Sequence, residues 1–270
     1  MKQAKRRVWS ILLVCFILLT MLPAGAWAAD EATEVTDSGS LINALSQGGE
    51  IQLQNDIELK NSAGSYPILA LAVPKKIILD LNGYTLTVSR MDVKAGSDLT
   101  IKDTSENQDG VLEAVANIAV TVWPQTADQK NGVLTVEGGT IQYRNHTSGS
   151  TILNGGEVYV KGGTVLSESE KGDAIQNSAQ PNTFGRKISN QVICELSDGA
   201  VIKGTYGVTL FGQGVPQGDM SKIDNESIIF TMNGGTIETT GQGIGTNASS
   251  GCYAGATINI NGGTITSEEA

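Results

Sequence analysis

LTVEGGTIQY (134–143) alternates apolar and polar residues, closes on Gly-Gly and reopens through Thr and Ile. Variants of this phrase stand at LDLNGYTLTV (79–88), VYVKGGTVLS (158–167), FTMNGGTIETT (230–240) and ININGGTIT (258–266). A phrase that returns at this spacing predicts a solenoid of stacked coils before any single residue is interpreted. Taking Asp56, Tyr84, Gly110, Gly139, Gly163, Gly199, Gly235 and Gly263 as successive turn residues gives steps of 24 to 36 residues. Each step is one coil with a loop of its own length.

Columns of residues test the idea. Three positions before the turn residue stand Leu81, Val136, Val160, Leu196, Met232 and Ile260, and five before stand Leu79, Leu134, Val158, Cys194, Phe230 and Ile258. Two positions after it stand Leu86, Ile141, Val165, Val201, Ile237 and Ile265. Alternate side chains of a strand share a face, so these columns point inward and stack coil on coil. The column four before, with Asp80, Thr135, Tyr159, Glu195, Thr231 and Asn259, points outward. A further strand per coil is legible in 117–122, 151–154, 173–177, 206–212 and 242–247, which gives each coil three sides. Glycine supplies the positive φ of the sharp corners, with Asn82, Asn233 and Asn261 just ahead of it. The expected fold is an all-β parallel β-helix of about eight three-sided coils.

The first 28 residues combine a basic start, an apolar run and an Ala-Trp-Ala ending, the pattern of a secretory signal peptide cut after Ala28. Residues 29–37 then read as a short linker and 38–270 as one β-helix domain. Without the leader, 14 basic residues face 28 acids, a net charge of −14. That balance disfavours nucleic acid and anionic membranes as partners, and nothing after the leader reads as membrane-inserting. Within 37–50, Leu41, Ile42, Ala44 and Leu45 have helical spacing, Ser38 or Ser40 is placed to cap, and Gly48-Gly49 to stop. Such a helix would cover the apolar cross-section of the first coil. The other end stops after a strand, which suggests further C-terminal domains of a longer protein or a partner over that coil. Cys194 sits in an inward column and Cys252 in a loop, so a disulfide between them is not expected.

LINALSQGGEIQLQNDIEL, KKIILDLNGYTLTV, LTIKD and the repeated GGTI turns together resemble the right-handed parallel β-helix domains of bacterial secreted and surface proteins, the pectin-lyase-like superfamily. The resemblance spans about 38–266 and implies right-handed coils. It does not imply one activity, because such helices serve as lyases, hydrolases, adhesins and stalks.

Chemistry is harder to read. A hydrolase similar to the polygalacturonases would carry paired aspartates, Gly-His and Arg-x-Lys, but the one histidine lies in RNHTS (144–148) and no aspartates adjoin. A lyase needs a base and a cation to neutralise a uronate carboxylate. The Arg-x-Pro-x-x-Arg segment of pectate lyases is absent, which leaves Arg186 and Lys187 as the residues for those roles. Calcium is the cofactor such a lyase would use, and Asp173 is the candidate ligand, with a solvated strand-end acid as the plainer reading. The longest loops, 177–190, 212–227 and 247–255, follow the third strand of successive coils and would stack into one surface. There Phe184, Arg186, Lys187, Lys222 and Tyr253 offer rings and positive charge to a ligand. Trp123 and Tyr159 are further aromatics, and Thr85, Thr140, Thr164, Thr236 and Thr264 form an outward ladder that Ala200 interrupts. The expectation is an extracellular or cell-surface module, adhesin-like and not evidently catalytic, that binds polysaccharide or a cell-envelope or host surface. A lyase of acidic glycans and a ligand-free stalk are the alternatives.

Overall fold

The computed structural model describes residues 32–71, 74–144, 148–179, 181–185, 190–212, 227–246 and 255–268. The strands from Gly49 onward pass around three faces in rotation, so every third strand returns to the same sheet one coil further on. The first sheet stacks nine strands, from Thr33–Val35 and Gly49–Leu53 to Ala256–Ile260. The second stacks eight, from Ile57–Glu58 to Thr264–Ser267, and the third seven, from Ile68–Leu71 to Ile244–Thr246. Neighbours pair in parallel, as in Leu134 with Val158, Val158 with Cys194 and Cys194 with Phe230. The chain is a parallel β-helix with a helix at its N-terminal end.

The inward columns form the core. Leu134, Val136, Val158, Val160, Cys194, Leu196, Phe230 and Met232 are fully buried. Each such aliphatic or aromatic side chain contributes roughly 1.5–3 kcal/mol by leaving water. Two corners change the register within the columns read from sequence. Two extra residues at Asp80–Tyr84 place Leu79 beside Ile101 and, through it, in the row of Val136. One extra residue at Ser197–Ala200 pairs Ile202, not Val201, with Val165. A slip of two keeps a side chain on its face, whereas a slip of one turns it over. Leu79 therefore stays buried, while Val201 is half-exposed and Ile202 fills the core. The outward threonine ladder is accordingly broken by Val201, between Thr164 and Thr236, and by Val111, between Thr85 and Thr140. Ala200 is buried in the corner.

Of the asparagines expected to adopt positive φ, Asn82 does so, at 48°. Asn261 and Asn233 instead bond side chain to side chain at 2.8 Å, and Asn233 donates to Glu195 at 2.8 Å. Gly163 shows why the corners need glycine: its φ is 73° and a Cβ there would lie 2.6 Å from the Gly139 carbonyl. Two corners earlier in the helix, Asp103 accepts from the amides of Gly83, Ser105 and Gly110 at 2.9, 3.0 and 2.6 Å.

The N-terminal helix, α1 (Ser38–Gln47), is capped by Asp37 rather than by Ser38 or Ser40. Asp37 accepts from the Ser40 amide at 2.9 Å, and Ser40 Oγ accepts in return from the Asp37 amide at 3.2 Å, a reciprocal capping box. Leu41, Ala44 and Leu45 are buried on the coil side, and Gly48, with φ of 81°, ends the helix. Part of the stretch expected as linker is ordered: Thr33–Val35 pairs in parallel with Ile51–Leu53 and adds a strand to the first sheet. At the opposite end, Ile258, Ile260 and Ile265 are 44, 50 and 42 % exposed, since no further coil packs against them among the described residues.

Candidate functional site

Corners between the second and third sheets differ in length from coil to coil. Residues 167–172 separate Thr164–Leu166 from Asp173–Ser178, Thr205 alone separates Val201–Gly204 from Tyr206–Phe211, and 240–243 separate Thr236–Thr239 from Ile244–Thr246. The short middle corner lies between two longer ones, and an open groove of about 620 Å³ runs across it. Glu168 and Glu170 line one side, Lys203 and Thr205 the middle, and Glu238, Thr240 and Glu268 the other. Beside it lies a space of about 470 Å³ that shares Glu170, Thr205, Thr240 and Glu268 with the groove and adds Tyr206 and Gly241, and next to Tyr206 lies a recess of about 280 Å³ with Lys171, Asp173, Thr209, Gln242 and Thr246. Tyr206, half-buried, lines both of these smaller spaces and is the residue they share.

The corners beneath are tightly bonded. Thr205 Oγ1 donates to the Ser169 carbonyl at 2.8 Å, Thr239 Oγ1 to that of Gly241 at 3.0 Å, and the Gly241 amide to the Thr205 carbonyl at 2.8 Å. The buried Tyr143 and Ser167 hydroxyls meet at 3.2 Å. These bonds satisfy buried polar groups and hold the rim residues on a rigid frame.

Asp173 pairs with Tyr206 across the third sheet. Its carboxylate accepts from the Thr209 hydroxyl and, at 3.5 Å, from Ser150 Oγ. Burial raises its pKa, and the two hydroxyls offset only part of that rise. Across the groove, Lys203 Nζ lies 3.0 Å from a Glu238 oxygen.

Of the five ligand-binding residues singled out from sequence, Phe184 alone lies among the described residues. Phe184 is only 7 % exposed: its ring meets Trp123 edge-on, with centroids 5.7 Å apart, and fills the space above Gly155. It packs against the solenoid instead of presenting a ring to a ligand, because Gly155 leaves a hollow that a large side chain can occupy. Trp123 also carries the Lys94 ammonium 3.9 Å from its ring centre. Lys94 and Arg90 bond the buried Asp92 at 2.8 and 2.7 Å. Tyr159 lies on the first sheet and donates to Glu157 at 3.0 Å; burial, then that carboxylate, push its hydroxyl up to about 12. Arg186, Lys187, Lys222 and Tyr253 lie outside the described residues, as do the leader and Cys252. Asp173 is described, but no group of three or more His, Cys, Asp or Glu side chains that would hold a metal ion forms among the described residues.

Sequence reading missed Tyr206, Glu170, Glu238 and Glu268. One signal was available: aligning the third strands DAIQN and YGVTLFG sets Tyr206 beside Asp173. No family model, curated protein or solved structure matches this chain, so the fold rests on its strand topology.

Proposed function

We propose that this chain is an exported, extracellular or cell-surface β-helix module that binds a glycan along the groove at Tyr206. The observation that carries the reading is three open spaces with shared lining residues that span successive coils, two of them lined by the Tyr206 ring. A long open trough suits a polymer, and a ring offers one apolar face to a sugar while rim hydroxyls and amides meet its hydroxyl groups. Thr240 and Gln242 are exposed on that rim. A leader-like N-terminus supports export, and the resemblance to pectin-lyase-like surface proteins supports glycan as the ligand class.

Capture of a panel of neutral, basic and acidic polysaccharides by the purified chain tests the proposal. Binding of at least one, weakened fivefold or more by Tyr206→Ala with the fold intact, is the expected result. Capture of none would leave the stalk, and capture that Tyr206→Ala leaves unchanged would move the site out of the groove.

A further inference from the structure

The charge of the groove selects among glycans. Glu168, Glu170, Glu238, Glu268 and Asp173 line its three spaces, against Lys171 and Lys203. Lys203 is already neutralised by Glu238 at 3.0 Å. Neither Glu170 nor Glu268 has an ion-pair partner among the described residues. In the recess, the Asp173 carboxylate accepts from the Thr209 and Ser150 hydroxyls and forms no ion pair among the described residues. Five acids against two lysines leave the lining net negative, and a concave lining focuses its field into the space it borders, so the potential there exceeds that of scattered surface acids. A uronate polymer would add like charges to this wall, whereas a neutral sugar would leave the half-buried carboxylate uncompensated.

Resting on the glycan reading, we infer that the preferred ligand carries amino groups: a polysaccharide of free, unacetylated hexosamine units. One unit's ring lies against Tyr206, and ammonium groups meet Glu170 and Glu268 on the open side and Asp173 in the recess. The inference stands on the groove and its ring; the carboxyl groups decide only which sugar it takes.

Calorimetric titration of the purified chain with three hexasaccharides, of glucosamine, N-acetylglucosamine and galacturonate, at about pH 5.5 tests it. Glucosamine hexamer is expected to bind at least tenfold more tightly than either of the others. Glu170→Gln combined with Glu268→Gln should remove most of that preference. Glu137→Gln, which deletes one exposed acid away from the groove, should leave it in place. Equal or tighter binding of the acetylated or acidic hexamer, lost in Tyr206→Ala, overturns the inference and keeps the glycan reading. A preference that Glu137→Gln erodes as much as the groove variants is general charge attraction and overturns it too. If no hexamer binds, the glycan reading fails and the inference with it.

Discussion

Asn154 and Asn177 stack inside the solenoid, Nδ2 of the first donating to Oδ1 of the second at 2.8 Å, with both residues fully buried. Asn154 also donates to the Ile193 carbonyl at 2.8 Å and accepts from the Gly156 amide at 2.9 Å. It thereby ties the third sheet to the start of the next first-sheet strand through Gly156 and to the first-sheet strand one coil further through Ile193. Asn154→Ala removes all three bonds from a site that water does not reach. The expected loss is about 3 kcal/mol in urea unfolding. A loss below about 0.5 kcal/mol, the range of ordinary surface changes, would show that the ladder is not holding the corner.

Two glycines separate backbone strain from crowding. Gly49 has φ of 92° with nothing within 4 Å of a added Cβ, whereas Gly163 has φ of 73° and the Gly139 carbonyl at 2.6 Å. Gly49→Ala should cost about 1 kcal/mol from strain alone, and Gly163→Ala about 2 to 4 kcal/mol because two coils must also part. Equal midpoints for the two variants in chemical denaturation would refute the close coil contact.

Burial pushes the Cys194 thiol up to about 12. Its thiolate is therefore scarce at neutral pH, and its fully buried sulfur is out of reach of reagent. In a Cys252→Ser chain made without the leader, which carries Cys15, a chromogenic disulfide reagent at about pH 8 should release no colour until denaturant unfolds the chain. Prompt stoichiometric release from the folded protein would contradict the inward placement.

Burial raises the folded pKa of Asp173 above its ordinary value of 3.8. Between the unfolded and folded values, the folded chain binds more protons than the unfolded one, so stability falls as pH rises through that window. Asp173→Asn removes this dependence. The variant should be at least as stable as the parent at neutral pH, and the difference should shrink as pH falls toward 3.8. Paired denaturation curves across that range check it; a variant that loses stability at neutral pH and recovers none of it in acid would show a carboxylate held by its bonds, not penalised by burial.

Face assignments proved robust wherever the corner length was constant. Leu134, Val158, Cys194 and Phe230 occupy the one row that their spacing predicts. Val201 was misplaced because an extra corner residue reverses a strand's faces, and the local pattern VIK reads acceptably in either register. The N-cap was displaced by one residue for a related reason: Asp37, Ser38 and Ser40 all have capping side chains, and the turn before the helix selects among them.

Period-two alternation, glycine corners and the return of one phrase determined the parallel β-helix from sequence alone, because each coil repeats the same local physics and needs only its neighbour to be complete. The candidate site had no such repeat. Glu170, Tyr206, Glu238 and Glu268 belong to four different coils and share no motif; only stacking in register brings them to one groove. Tertiary structure likewise decided that Phe184 is a packing residue, since its burial depends on the hollow above Gly155 and the edge of Trp123, neither of which is near it in the chain. Strand periodicity is local and written in every coil, whereas a groove arises from differences between coils and exists only once they are stacked.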